Sequence, residues 1–163
     1  MLFIGICGAS GSGKSTLAKE LVRDIGARAV VLNQDAYYRD HPDLSFEERT
    51  GLNYDEPCIF DHDLLYQDVT DLLAGKSVTR KAYDFSLHRR NDTQEIIQPA
   101  DVLIVEGIHA FYDQRLLGKM FIKLYISVEP DICLLRRIKR DIKDRGRQID
   151  QISAQYLATV KPM

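Results

Sequence analysis

Apolar and polar residues fall along this chain in blocks that read as strand and helix in turn. Leu2-Phe3-Ile4-Gly5-Ile6-Cys7 is a short apolar run, the pattern of a buried strand. Leu17, Ala18, Leu21, Val22 and Ile25 then recur at helical spacing, and Gly26 follows where such a helix would end. Arg28 to Asn33 predicts a second buried strand. From Ala36 to Phe60 no period holds; the stretch is rich in Tyr, Asp, Glu and Pro, and Pro42 and Pro57 mark it as loop. Asp61 caps a helix whose apolar positions Leu64, Leu65, Val69, Leu72 and Leu73 run to Gly75. Val78 to Phe85 and Glu95 to Ile97 read as strands flanking the polar turn Leu87 to Asp92, a hairpin spanning residues 77–98 and standing away from the main sheet. Asp101 to Val105 and Phe121 to Ser127 supply a third and a fourth main strand. Pro130 opens a helix from Asp131 to Asp144, and Gln148 to Thr159 is a last helix before Val160-Lys161-Pro162-Met163.

Strands alternating with helices predict an α/β domain with a parallel sheet. With 163 residues, 45% of them hydrophobic, the chain suits one such domain over 1–163. Its net charge of −2 argues against a general nucleic-acid binder. Cys7, Cys58 and Cys133 are odd in number and far apart, which fits a reducing cytoplasm. The apolar start flows straight into a glycine-rich loop, so it reads as a strand and not as a signal peptide. No run approaches membrane-spanning length.

That loop carries the clearest chemistry. Gly8-Ala9-Ser10-Gly11-Ser12-Gly13-Lys14-Ser15, with Thr16 following, matches G-x-x-x-x-G-K-[ST] between a predicted strand and a predicted helix. Glycines there let successive backbone N–H groups turn around a phosphate, and the helix start adds its positive dipole end. Lys14 is expected to reach the β- and γ-phosphates and the Ser15 hydroxyl to ligate Mg²⁺, so the chain is expected to bind a nucleoside triphosphate.

Asp35 follows the second strand, where ligands of doubly wound sheets gather. Were the γ-phosphoryl group to pass to a hydroxyl, a carboxylate there would align it and take its proton; an Asp after a strand is also a common turn residue. Glu106 ends the third main strand, the position of the acidic residue that holds Mg²⁺ beside a phosphate loop. Tyr83, Phe85 and His88 lie close together on the hairpin, where aromatics are more often half-buried packing than ligand contacts. On the helix from Pro130, Ile132, Leu135, Ile138 and Ile142 gather on one side, and Arg136, Arg137, Arg140 and Lys143 on the other. Between Arg136 and Arg147 seven cationic residues face Asp141 and Asp144, which predicts an Arg-rich lid over polyphosphate at 130–147.

These motifs occur together in one order. The phosphate loop is followed by Gln34-Asp35 with Tyr37-Tyr38, Asn53-Tyr54-Asp55-Glu56-Pro57, Tyr83-Asp84-Phe85 with His88, and Glu106-Gly107-Ile108 with Ala110-Phe111-Tyr112. Arg136-Arg137, Arg140-Asp141, Arg145-Gly146-Arg147 and Gln155-Tyr156 complete the set. In this combination the chain resembles the phosphoribulokinase/uridine kinase family of P-loop kinases. The resemblance implies a three-layer α/β P-loop kinase fold with a small accessory hairpin. It implies phosphorylation of the 5′-hydroxyl of uridine or cytidine, with ATP and Mg²⁺ as cofactors, by a cytoplasmic homo-tetramer without nucleic-acid or membrane partners.

Residue by residue, the resemblance implies that Asp35 is the base and that Ser15 and Glu106 hold Mg²⁺. Asp55 and Arg137 would hold the ribose, Tyr83 and His88 the pyrimidine edge, and Tyr54 and Phe85 its ring. Arg140, Arg145 and Arg147 would serve the phosphates, with Gln155 near the acceptor. Lys81-Ala82 and Cys58-Ile59 depart from the family pattern, and a C-terminal strand and helix of the family are expected to be missing. Rival readings are a kinase of the same group with another riboside or a sugar phosphate as acceptor, and a truncated inactive homologue. A GTP-binding switch lacks the Asn-Lys-x-Asp motif that reads guanine.

Overall fold

The computed structural model describes residues 1–26 and 28–161. The main sheet is parallel, in the order β2-β5-β1-β6, built from β1 (Leu2–Gly8), β2 (Ala29–Asn33), β5 (Val102–Gly107) and β6 (Ile122–Ile126). Alternation along β1 sends Phe3 and Cys7 to one face and Ile4 and Ile6 to the other. On the first face α3 (His62–Leu73) packs Leu65, Val69 and Leu72 against Phe3, Leu103 and Val105. On the second, α1 (Lys14–Ile25) sets Ala18, Leu17 and Leu21 on Ile4, Ile6 and Ile104. The result is helix, sheet and helix in three layers.

Gly5 is needed for this packing. A Cβ there would collide with the Met120 thioether and the Phe111 ring, which fill the space above β1. As predicted, the Asp61 carboxylate caps α3, accepting from the Leu64 N–H at 3.1 Å. Strand β2 differs from its reading as a fully buried element, because among the described residues it pairs only with β5 and only Leu32 is wholly buried.

Three further differences, in the span from 36 to 60, the hairpin and one helix, stand beside a short helix that the sequence reading did not mark. The span from 36 to 60 contains α2 (Phe46–Thr50), opened by a reciprocal Ser45–Glu48 capping box, and a 3-10 turn at Pro57–Ile59. In the hairpin, β3 (Val78–Asp84) pairs with a longer β4 (Arg89–Ile97) than the apolar residues marked. Its polar residues are strand residues held by cross-strand pairs, Arg80 with Glu95 at 2.9 Å and Lys81 with Asp92 at 3.2 Å. A short α4 (Gln114–Leu117) has no counterpart in the sequence reading.

The third difference is the orientation of α5 (Pro130–Arg145). Its buried residues are Cys133, Arg137 and Asp141, whereas Ile132, Leu135 and Ile142 are exposed, Leu135 to 55%. The helix turns Arg137, Arg140 and Asp141 inward, where they find buried partners, while Arg136 and Lys143 of the predicted charged side stay exposed. After it, α6 (Ile149–Gln155) continues into a π-helical turn at Tyr156–Val160. Pro162 and Met163, the close of the predicted last stretch, lie outside the described residues.

Truncating a fully buried contact between α3 and the sheet, Leu72→Ala, is expected to cost about 2–5 kcal/mol of stability, read as a lower urea midpoint at unchanged slope.

Candidate active site

Strand register assembles the site. Ile6 lies opposite Glu106 across β1 and β5, and Glu106 lies opposite Asn33 across β5 and β2. Three carboxyl ends therefore deliver the glycine loop, Glu106 and Asp35 to one edge of the sheet.

Within the loop, Gly11 and Gly13 adopt left-handed φ of 86° and 102°. Gly13 is the N-cap of α1 and offers no side chain, so the first N–H groups of that helix have no side-chain acceptor at their cap. The Ser12 Oγ is buried without a hydrogen-bond partner among the described residues. Lys14 is buried and donates from Nζ to the Ala9 carbonyl at 2.9 Å. Burial pulls its pKa down against the opposing pull of Glu106 and Asp35. The Ser15 hydroxyl donates to Glu106 Oε1 at 2.8 Å, and burial pushes the Glu106 carboxyl above its ordinary range.

Asp35 sits one residue into a 3-10 turn (Gln34–Tyr37) whose N-cap is Asn33; the Asn33 side chain accepts the Asp35 N–H at 2.8 Å. Its carboxylate is 28% exposed and 4.0 Å from Arg145 Nη2. Desolvation raises its pKa above 3.8, and Arg145, Lys14 and Arg140 pull the other way.

Opposite the loop lies an aromatic cluster centred on Tyr38. Its ring stacks on Phe60 with centroids 4.5 Å apart, meets Tyr83 at 5.0 Å and meets Tyr54 edge-on at 5.2 Å. Phe85 stands 5.4 Å from Tyr83, and His88 lies 4.9 Å from Tyr54. The Tyr54 and Tyr83 hydroxyls are buried, and neither makes a hydrogen bond of good geometry among the described residues. His88 has a left-handed φ of 49°, and burial together with Arg147 and Arg145 lowers its pKa, so the ring is favoured neutral.

Between the two halves, Asp55 is buried and paired with Arg137, whose Nη1 and Nη2 reach its two oxygens at 3.1 and 3.4 Å. Gln155 Oε1 accepts from Arg137 at 3.3 Å and from Arg147 at 2.6 Å. Arg140 donates to Ser10 Oγ at 3.4 Å, and the Arg145 guanidinium lies 4.6 Å over the Phe85 ring. A cavity of about 200 Å³ opens beside the phosphate loop, its lining including Ala9, Ser10, Asp55, His109, Tyr125 and Val160. A phosphate loop, a serine–glutamate pair, a carboxylate and a ring of arginines beside an aromatic pocket is an arrangement able to carry a phosphoryl group to a small acceptor.

Over residues 3–163 the sequence matches the Phosphoribulokinase / Uridine kinase family. The chain belongs to that family. It is 44% identical over 161 residues to a uridine kinase of Limosilactobacillus reuteri (strain DSM 20016), covering 98% of this chain and 74% of that protein. A uridine kinase of Geobacillus kaustophilus (strain HTA426) is 45% identical over 161 residues, with 98% and 76% covered. In fold the chain is similar to phosphoribulokinase from Rhodobacter spheroides, with a TM-score of 0.61 at 16% identity over 99% of this chain and 66% of that one. It is a P-loop kinase of α/β architecture.

For this family member, the residues singled out in the sequence lie around one cleft: loop residues and Glu106 on one side, Tyr54, Tyr83, Phe85 and His88 on the other, and Asp35, Asp55, Arg137, Arg140, Arg145, Arg147 and Gln155 between them. Several partners were not assigned from sequence. Tyr38 was named only within a motif, yet it is the hub of the aromatic cluster. Phe60 carried no signal. His109 contacts the Asp55 carbonyl through Nε2 at 2.8 Å, and its N–H donates to the buried Gln34 side chain at 2.9 Å. Arg136 reaches the Ser12 carbonyl at 3.5 Å. Among the described residues no cluster of three or more His, Cys, Asp or Glu could hold a metal alone, and no helix is long and apolar enough to cross a membrane.

Gly11 faces α5 so closely that an added Cβ would collide with the Cys133 carbonyl, and its left-handed φ of 86° disfavours any other residue. Gly11→Ala is expected to weaken ATP binding about tenfold or more, measured by titration calorimetry, while leaving the helix content of the protein unchanged.

Proposed function

We propose that the protein transfers the γ-phosphoryl group of ATP to the 5′-hydroxyl of uridine or cytidine, releasing ADP and the nucleoside monophosphate. The reading rests on one juxtaposition above all. Arg145 stands 4.0 Å from Asp35 and 4.6 Å over the Phe85 ring, and Tyr38 ends the same turn that holds Asp35, so a carboxylate stands between the arginines beside the phosphate loop and the aromatic cluster. The curated relatives, uridine kinases at 44–45% identity, support the same acceptor class.

The residues present fit both cofactors. Glycines in left-handed conformation, an uncapped helix start and the orphaned Ser12 hydroxyl suit a polyphosphate, and the Ser15–Glu106 pair offers the hard oxygen donors that Mg²⁺ prefers. Ser15 and Glu106 would hold Mg²⁺, whose chemistry is to neutralise charge on the phosphates. Lys14, released from the Ala9 carbonyl, binds the β- and γ-phosphoryl oxygens. Asp35 orients the 5′-hydroxyl and takes its proton as the hydroxyl oxygen bonds to phosphorus, while Arg140, Arg145 and Arg147 take up the developing charge.

On the acceptor side, Asp55 and Arg137 bind the ribose hydroxyls. Tyr54 and Phe85 pack on the base, and Tyr83 and neutral His88 bind its polar edge. The three free thiols fit a reducing cytoplasm, and family resemblance implies a homo-tetramer, which sedimentation tests directly.

The deciding experiment follows ADP release with Mg²⁺ and ATP against uridine, cytidine, adenosine, ribulose 5-phosphate and no acceptor. Release dependent on uridine or cytidine is expected; release only with ribulose 5-phosphate or with adenosine overturns the acceptor assignment. Asp35→Ala is expected to lower kcat by about 10²-fold or more with ATP affinity retained. Because a base must be unprotonated and burial raises Asp35, the wild-type rate is expected to fall on the acid side through a pKa above 3.8, and that limb disappears from the residual activity of the alanine variant. His88→Ala is expected to raise KM for the nucleoside about tenfold, the worth of one good hydrogen bond, and to leave KM for ATP unchanged.

A further inference from the structure

Among the charged residues on the inward side of α5, Asp141 alone has been given no role. Asp141 is completely buried, and four guanidiniums surround its carboxylate. Oδ1 receives Arg140 through Nε at 2.9 Å and Nη2 at 2.8 Å, and faces Arg145 Nη1 at 3.6 Å. Oδ2 faces Arg147 Nη1 at 3.5 Å and Arg137 Nε at 3.8 Å. Arg137 and Arg145 lie one helical turn before and after it, on the same face. The Asp141 backbone takes part as well: its carbonyl accepts the N–H of Gly146, the left-handed residue that ends the helix, and the N–H of Arg147 at 3.1 Å. The reversal that brings Arg147 back over the helix is thus tied to the same residue.

Each of the four arginines also holds a different part of the cleft. Arg137 pairs with Asp55, Arg140 reaches Ser10 of the phosphate loop, Arg145 lies 4.0 Å from Asp35, and Arg147 bonds Gln155. Like charges gathered in a partly desolvated site repel unless an anion lies among them. Asp141 is that anion in the free protein.

We infer that Asp141 is a positioning residue for phosphoryl transfer: its carboxylate gathers Arg137, Arg140, Arg145 and Arg147 into one set before nucleotide arrives. The inference rests on the reading that Arg140, Arg145 and Arg147 serve the phosphates. Preorganised donors need not rearrange as charge develops on the moving phosphoryl group, so Asp141 acts on the transition state more than on nucleotide binding.

The test uses ADP with Mg²⁺, uridine and aluminium fluoride, a mimic of the phosphoryl group in flight. Asp141→Asn keeps the size of the side chain and removes its charge. The tightening of ADP binding by fluoride is expected to fall at least about tenfold in this variant, while affinity for ADP alone stays within about twofold. A purely structural role would lower the melting temperature and the competent fraction but leave the ratio of the two dissociation constants unmoved. Full tightening in Asp141→Asn overturns the inference. Arg140→Gln, measured beside it, separates the causes. Tightening lost in Arg140→Gln but kept in Asp141→Asn rejects Asp141 alone, and tightening kept in both rejects the phosphate role of the arginine with it. Should the asparagine variant not fold, arginine side-chain NMR of the nucleotide-free wild-type protein decides. Four guanidiniums with slowed rotation about Nε–Cζ are expected, and freely rotating ones overturn the inference.

Discussion

The backbone hydrogen bonds that join β1 to β5 and β5 to β2 set Ile6 opposite Glu106 and Glu106 opposite Asn33. Everything charged in the cleft depends on that register. A slip of one residue would turn Glu106 to the opposite face of the sheet, part it from Ser15, and carry the turn bearing Asp35 away from the loop. The apolar layers on both faces hold the register, because the same slip would exchange Leu103 and Val105 with Ile104 between two differently shaped cores.

Above this rigid edge the site is a matter of charge balance. Lys14 and the four arginines around Asp141 are held by Glu106, Asp35, Asp55 and Asp141, with Gln155 and backbone carbonyls taking further donors. A buried cation without an anion is costly, so these partners are a condition of folding as well as of function. The same balance explains α5. Arg137, Arg140 and Asp141 turn inward because Asp55, Ser10 and one another compensate their loss of water, while Arg136 and Lys143 stay exposed beside Ile132, Leu135 and Ile142.

Family membership bounds the chemistry without fixing the acceptor, since this fold is shared with a phosphoribulokinase at a TM-score of 0.61. The proposed acceptor side is the aromatic cluster, which the hairpin and the loop build together. Tyr38, Phe60 and the hairpin pair Tyr83 and Phe85 come from three separate segments, and the turn bearing His88 lies against Tyr54. The cluster offers apolar ring faces and two buried phenol hydroxyls without hydrogen-bond partners among the described residues.

Much of the architecture was legible in the chain because its signals are local. Apolar runs of strand length, a glycine loop between strand and helix, and the Asp61 cap each depend on a few neighbouring residues and were read directly. The Ser45–Glu48 capping box was equally local, and its spacing could have revealed α2 inside the irregular stretch. Other features had no local signal. The full length of β4 rests on ion pairs with β3, the hub role of Tyr38 on rings distant in sequence, and the place of His109 on Gln34 and Asp55. The helical wheel of α5 grouped Arg136 and Lys143 with Arg137 and Arg140, yet the first two are exposed beside Ile132, Leu135 and Ile142; the buried stripe is set by Asp55, Ser10, Asp35 and Gln155, contributed by other segments. Sequence alone thus determined the main strands and longer helices, the phosphate loop and the family. Tertiary structure decided which polar groups are buried together, because the cost of burying a charge is set by partners that only the fold brings within reach.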